Sequence, residues 1–169
     1  KETQESILQQ IDWECNVRTL FQKENLGCGK GVYTAINWFF ENEEEGIIIE
    51  DDCVLQSSFF PFAEELLNKY RNDERIGMIG APNYISGVNI PDSYGFSRYK
   101  ATWGWATWRR AWKNMDLNMD WKNTPYYESI INNNGYNGKD KNYWRYRIKA
   151  IENNYVSAWD WQWFFTLSA

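Results

Sequence analysis

Histidine is absent from this chain of 169 residues, and its absence excludes several kinds of active site. A serine–histidine–aspartate triad, a cysteine–histidine pair and a metal site with imidazole ligands all require histidine. Cysteine is scarce as well: Cys15, Cys28 and Cys53 are an odd number without a paired CxxC spacing. This pattern argues against a cysteine zinc site and indicates reduced thiols, so we expect a cytoplasmic protein. Carboxylates are left as the candidate catalytic groups.

Positive charge and long apolar runs are also in short supply. The 18 lysines and arginines are outnumbered by 23 aspartates and glutamates, which gives a net charge of -5. A nucleic acid held through its phosphates needs a basic surface, so we expect no nucleic-acid partner. No run of about 18 apolar residues is present, so we expect no transmembrane segment.

Aromatic residues, in contrast, are abundant. Eleven tryptophans, eleven tyrosines and nine phenylalanines make up 18% of the chain. Most of them are expected in the core, because aromatic side chains bury large areas. Eleven tryptophans nevertheless exceed what packing usually requires, and sugar rings are common partners for exposed indole faces.

The alternation of apolar segments predicts a single α/β domain covering residues 1–169. The predicted elements are a strand at 17–21, a helix ending near 42, a strand at 47–49, a helix at 59–71 and a strand at 76–80. This order is typical of a Rossmann-like, mostly parallel sheet flanked by helices. Farther along we predict a strand at 94–99, a helix beginning near 107, a helix at about 143–152 and the start of a last helix in the segment 156–165. The polar start of the chain and its plain end suggest that a first strand and a C-terminal segment are lacking.

Three consecutive carboxylates, Glu50, Asp51 and Asp52, directly follow the apolar strand and are called the acidic triplet here. An unpaired buried carboxylate is costly, so the strand is expected to deliver the acidic triplet to the carboxyl edge of the sheet. A divalent cation with oxygen ligands would explain so much negative charge at that edge. The alternative is a solvated loop whose acids cap the next helix. Spacing alone leaves both interpretations open.

A second candidate segment is the glycine-rich stretch at 25–31, which precedes a predicted helix and contains Lys30. Backbone amides at a helix N-terminus bind anions, and a lysine adds positive charge. The stretch is neither a Walker loop nor a GxGxxG fingerprint, so a plain turn is the alternative.

The acidic triplet, together with two later motifs, resembles the glycosyltransferase A fold of nucleotide-diphospho-sugar transferases. Within that fold the chain is similar to bacterial and viral relatives of the N-acetylglucosaminyltransferase that starts complex N-glycan branches. Those proteins carry a strand running into Glu-Asp-Asp, a Gly-Trp before a helix, and a Trp-Asp pair near another Trp. The matching residues here, in the same order, are the acidic triplet, Gly104 with Trp105, and Trp159 and Asp160 with Trp163.

The resemblance implies a metal-dependent glycosyltransferase that moves a sugar from a nucleotide-diphosphate donor to a hydroxyl of a glycan or glycolipid acceptor, with inversion. Asp52 would bind Mn²⁺ or Mg²⁺ together with the donor diphosphate. Glu50 and Asp51 would support the waters of that metal or contact the ribose. Lys30 and Arg98 are possible contacts of the diphosphate.

The same resemblance gives Asp160 the role of catalytic base on the acceptor hydroxyl, and the alternative is a helix N-cap. Gly104 would let the backbone approach a sugar, on which Trp105 or Trp103 could stack. The alternative for these tryptophans is plain core packing. Two other functions compete with transfer: a non-catalytic carbohydrate-binding domain, and a glycoside hydrolase with two carboxylates.

Overall fold

The structure is a computed structural model that describes residues 2–82, 92–154 and 157–169. Within these ranges it contains seven α-helices, one short 3-10 helix and three β-strands. The helices are α1 (Glu2–Gln9), α2 (Gly27–Asn42), α3 (Phe59–Lys69), α4 (Arg109–Trp112), α5 (Tyr127–Asn134), α6 (Gly138–Glu152) and α7 (Asp160–Thr166), and the 3-10 helix is Asp120–Asn123. The strands are β1 (Glu45–Ile48), β2 (Ile79–Gly80) and β3 (Trp105–Trp108). None of the described helices is both long and apolar enough to cross a membrane.

The three strands form one small sheet in the order β1-β3-β2. Strand β3 lies in the middle and is antiparallel to both of its neighbours. Ile48 of β1 is opposite Trp105, and Ile79 of β2 is opposite Ala106. All four residues of β3 are buried, so the central strand is also the most enclosed part of the sheet.

The prediction of a mostly parallel, Rossmann-like sheet flanked by helices is therefore wrong. The described residues form a predominantly helical fold with a three-stranded antiparallel sheet. The error arises at 105–108, where we predicted the approach to a helix near Thr107. This segment is instead a strand that inserts between β1 and β2, and the helix begins two residues later, at Arg109. Insertion of β3 separates the two strands that were expected to pair in parallel.

Other predicted strands are shorter than expected or missing from the described part of the chain. Ile49 lies outside β1 and is 47% exposed, and β1 itself is only half-buried because it is an edge strand. The segment 17–21 forms no strand, and its apolar side chains are exposed. The segment 94–99 forms none either. Tyr94 and Phe96 instead pack edge-on against Tyr70, the residue that follows α3.

The helix predictions are closer to the structure. The helix predicted to end near residue 42 is confirmed as α2, and the one at 59–71 is confirmed as α3, which ends at Lys69. Pro61 lies in the first turn of α3, where its missing N–H removes no intrahelical bond. Helix α6 begins five residues earlier than predicted. The reason is Asn137, whose side chain accepts hydrogen bonds from two backbone amides of the first turn.

Tryptophans dominate the core between the sheet and α7. The rings of Trp105 and Trp159 stack at 5.8 Å, and those of Trp112 and Trp163 lie 5.0 Å apart. All four side chains are at most 2% exposed, and Ile36 and Phe40 of α2 pack against the same cluster. Trp108, which is 2% exposed, lies in a neighbouring core cluster, so core packing accounts for at least five of the eleven tryptophans. Trp13 and Trp103, in contrast, are 63% and 64% exposed.

A half-buried lysine connects the segment before β3 to the C-terminal end of the fold. The ammonium group of Lys100 donates a hydrogen bond of 3.1 Å to Asn134 Oδ1 at the end of α5 and another to Ser168 Oγ. Both partners are neutral. Burial, with a smaller contribution from the nearby Arg98 guanidinium, lowers the pKa of Lys100 to about 8.

We expect Lys100 to give the folding stability a distinct dependence on pH. The lowered pKa means that the folded chain releases this proton before the unfolded chain does. Between pH 8 and the ordinary lysine pKa of about 10.4, the unfolded chain binds more protons, so stability from this group rises with pH. Relative to Lys100→Met, wild type should gain on the order of 2 to 3 kcal/mol in free energy of unfolding across that interval. Urea titrations at several pH values measure this difference.

Lys23→Met, at an exposed position, is the control and should keep the wild-type pH profile. A Lys100→Met variant whose stability changes in parallel with that of wild type from pH 8 to above 10 would contradict the assignment.

Candidate functional site

The acidic triplet lies in a tight turn immediately after β1. The Cys53 amide donates a hydrogen bond of 3.1 Å to the Glu50 carbonyl oxygen and closes this turn. Asp51 and Asp52 are exposed, whereas Glu50 is half-buried. The expectation that a strand would deliver these acids to its end is met by β1, although the sheet around it differs from the predicted one.

Asp160 reaches the same region from the other end of the chain. It is the first residue of α7, and its neighbour Trp159 stacks on Trp105 of the central strand. Trp105 is in turn opposite Ile48, two residues before Glu50. The tryptophan stack thus ties the start of α7 to the end of β1, over more than one hundred residues of sequence.

The electrostatics of Glu50 show that the two acidic segments are brought together. The pKa of Glu50 is raised, first by burial and then by the negative charges of Asp52, Asp160 and Asp51. The carboxylates of Asp52, Asp160 and Asp51 therefore lie near enough to Glu50 to disfavour its negative charge. This convergence joins the two acidic motifs that the sequence analysis singled out.

Asp160 itself has the environment of a basic carboxylate. Burial raises its pKa, against the opposing effects of nearby backbone amides and of the Arg147 guanidinium. Arg147 comes from α6 and lies 4.1 Å from the ring centre of Trp161. Arg147 could not be identified from the sequence, because its effect on Asp160 depends on the packing of two helices and not on a motif in the chain.

The first turn of α2 borders this acidic region. The pKa of Cys28 is raised by burial and then by Glu50 and Asp160, which shows that the thiol faces both acids. The Gly29 amide donates a 3.0 Å hydrogen bond to Ser157 Oγ, and a Cβ at Gly29 would lie 2.9 Å from the Ala158 carbonyl oxygen. Glycine therefore allows α2 to pack closely against the segment that leads into α7. Lys30, the next residue, is exposed.

A small open cavity of about 240 Å³ adjoins the acidic triplet. Its lining consists of Asp52, Cys53, Val54, Leu55 and Trp103. Gly104 follows Trp103 and has a φ of +76°, a conformation that favours glycine, and a Cβ there would come within 2.3 Å of Leu55. Gly104 is thus buried beneath Leu55, and Trp105 is wholly in the core. Of the three residues predicted to contact a sugar, Trp103 is the one that offers an exposed surface.

A second cavity, of about 540 Å³, lies at the opposite end of β1. Its lining includes Glu44, Glu45, Arg71 and Arg109, and these charges form ion pairs at 2.6 Å: Arg71 with Glu45, and Arg109 with Glu44. Because its charges are already paired, this cavity is a weaker candidate for a ligand site than the one beside Asp52.

The acidic triplet suits a cation that is shared with a ligand. In residues 2–82, 92–154 and 157–169, no three cysteine or carboxylate side chains converge as a complete metal site. None of the ion pairs in those ranges neutralises the acidic triplet. Mg²⁺ in nucleotide sites is typically held by one or two carboxylates together with phosphate oxygens. An exposed Asp52 amid uncompensated negative charge fits that arrangement, and a cage made by the protein alone is not formed.

Comparisons of this chain with family models, with curated proteins and with solved structures gave no match. The resemblance to nucleotide-diphospho-sugar transferases accordingly rests on the three sequence motifs and stays a prediction. The structure describes all three motifs and brings the first and the third together, as the raised pKa of Glu50 shows.

We expect Glu50→Gln to stabilise the chain at neutral pH. Burial and neighbouring carboxylates raise the pKa of Glu50, so the folded chain binds this proton more tightly than the unfolded chain does. Ionisation of Glu50 therefore lowers the free energy of unfolding as the pH rises through and above the ordinary pKa of glutamate. The variant should melt at a higher temperature than wild type at pH 7 and lose this advantage on acidification, as measured by differential scanning calorimetry.

Glu64→Gln, on the exposed side of α3, serves as the matched control and should leave the melting temperature nearly unchanged. If Glu50→Gln is no more stable than wild type at pH 7, burial and the neighbouring carboxylates do not disfavour the charge of Glu50.

Proposed function

We propose that this protein is a metal-dependent glycosyltransferase that moves a sugar from a nucleotide-diphosphate donor to a hydroxyl of a glycan or glycolipid acceptor, with inversion. The observation that carries the proposal is the convergence of Asp160 with the acidic triplet. A transferase of this type needs one set of carboxylates for a cation and the donor, and a separate carboxylate for the acceptor. The free thiols of this protein, Cys15, Cys28 and Cys53, support a cytoplasmic setting.

The acidic triplet is the donor side of the proposed site. Asp52 would hold Mn²⁺ or Mg²⁺ jointly with the donor diphosphate, with Glu50 and Asp51 supporting the waters of the ion or the ribose. Such an ion, if held by Asp52, would supply positive charge to offset the charge that develops on the departing nucleoside diphosphate. The first turn of α2, which faces the same acids, presents Lys30 as a further contact for phosphate oxygens.

Asp160 is the acceptor side of the proposed site. Its carboxylate takes the proton of the acceptor hydroxyl while that oxygen forms a bond to the anomeric carbon of the donor sugar. The bond from that carbon to the diphosphate oxygen breaks on the opposite face, and the electron pair leaves with the diphosphate. The burial that raises the pKa of Asp160 makes it a better proton acceptor, and the Arg147 charge favours the ionised form that can act.

A second candidate function is a non-catalytic carbohydrate-binding domain. It is favoured by exposed aromatic side chains such as Trp103, Tyr126 and Tyr136, which are 61% to 69% exposed. Such a domain needs neither a nucleotide nor a cation, so binding of a nucleoside diphosphate separates the two functions.

Titration calorimetry with UDP and GDP, with and without Mn²⁺, tests the donor site. We expect wild type to bind one of these nucleotides only when Mn²⁺ is present. Asp52→Ala should weaken this binding by about tenfold or more, because it removes the proposed link between ion and protein. The matched control is Asp12→Ala, at an exposed position. Absence of nucleotide binding in wild type, or full binding by Asp52→Ala, would refute the transferase.

Asp160→Asn tests the base. This change keeps the size of the side chain but removes its ability to accept a proton, so transfer should be lost while binding of the nucleotide with Mn²⁺ stays within about twofold. Transfer is measured by mass spectrometry of acceptor oligosaccharides incubated with UDP-sugars and GDP-sugars. Loss of nucleotide binding in this variant would instead assign Asp160 to the donor side.

A further inference from the structure

Two exposed tyrosines and an arginine form an aromatic surface outside the carboxylate site, which we call the tyrosine platform (Arg98, Tyr99 and Tyr136). The ring centres of Tyr99 and Tyr136 are 5.5 Å apart, and each side chain is 61% exposed. The guanidinium carbon of Arg98 lies over the ring of Tyr136, 4.2 Å from its centre. The platform thus presents aromatic faces and a cation together at the surface.

Hydrogen bonds of residues in and next to the platform hold its two halves in place. Lys100, next to Tyr99, reaches inward to Asn134 Oδ1 at 3.1 Å, and Tyr136 follows Asn134 by two residues. The Tyr136 amide donates a 3.2 Å hydrogen bond to Asp140 Oδ2 at the start of α6. A rigid pair of aromatic rings loses little conformational entropy when a ligand settles on it.

The rim of the platform carries hydrogen-bonding groups. In the part of the chain that the structure describes, no hydrogen bond or ion pair engages the Arg98 guanidinium, which therefore keeps its N–H donors for a ligand. Asp140 lies close enough to Tyr99 to raise, after burial, the pKa of that phenol. Donors, acceptors and aromatic faces occur together here, whereas a protein-binding hot spot typically has an apolar core with charge depleted from it.

We propose that the tyrosine platform binds a sugar ring of the acceptor glycan, with the ring resting on Tyr99 and Tyr136 and its hydroxyls bonded to Arg98 and Asp140. The identification of this glycan as the acceptor rests on the proposed transferase function. The chain itself connects the two places, because Tyr99 precedes the cavity residue Trp103 by four residues. Four residues span at most about 14 Å, so a short oligosaccharide can reach from the platform to the cavity beside Asp52.

Calorimetric titration with four oligosaccharides tests the platform without any nucleotide or Mn²⁺. The probes are maltohexaose, cellohexaose, chitohexaose and hexagalacturonic acid. We expect at least one of them to bind wild type, and Tyr99→Ala and Tyr136→Ala to weaken that binding by roughly three- to tenfold each. Arg98→Gln should weaken it as well. Tyr146→Ala is the matched control, because Tyr146 is also 61% exposed but lies outside the platform.

Tyr99→Phe and Tyr136→Phe keep the rings and should retain most of the affinity, which separates lost stacking from misfolding. Failure of all four probes to bind wild type, or equal binding by the alanine variants, overturns the platform. Because no nucleotide is present, oligosaccharide binding by a protein that binds no nucleoside diphosphate would support the platform and refute the transferase. Manganese-dependent nucleotide binding without oligosaccharide binding would support the transferase and refute the platform.

Discussion

The central strand β3 is the constraint on which the rest of the structure depends. Its four residues are buried, and they pair antiparallel with β1 on one side and β2 on the other. Trp105 at its start also stacks on Trp159, which fixes the beginning of α7 against the sheet. Large aromatic surfaces buried on both sides of a short strand compensate for the few hydrogen bonds that such a small sheet supplies. The sheet, α2 and α7 are therefore held by one tryptophan-rich core.

The same packing accounts for the unusual charge of the candidate site. Trp105 ties the end of β1 to the start of α7, and both of these positions carry acids. The carboxylates of Glu50 and Asp160 are consequently held close, and the charge of Asp160 is one of the causes, after burial and Asp52, of the raised pKa of Glu50. The raised pKa of Asp160 is caused by its own burial. Proteins keep repelling groups together mainly at functional sites, where a ligand relieves or uses the strain. A diphosphate-bound cation on one side and an acceptor hydroxyl on the other would use this arrangement fully.

Lys100 plays a comparable role for the surface next to that site. Its buried ammonium group joins the segment before β3 to the end of α5, and it thereby sets Tyr99 beside Tyr136. The ammonium group of Lys100 bonds only to neutral partners, so no carboxylate offsets the cost of burying its charge. The contribution of this group to stability is therefore sensitive to pH.

Local patterns in the sequence determined the helices α2 and α3, the apolar run of β1 and the acids that follow it. Each depends on residues that are near one another in the chain: a 3.6-residue stripe, a proline in a first turn, or isoleucines running into carboxylates. The direction and order of the strands were decided only by tertiary structure, because the insertion of Trp105–Trp108 depends on distant surfaces that β1, β2 and α7 supply together. For the same reason, the sequence motifs pointed to Asp160 and to the acidic triplet as two separate candidates and did not show that they lie close together. Only the tryptophan core brings them into one electrostatic neighbourhood.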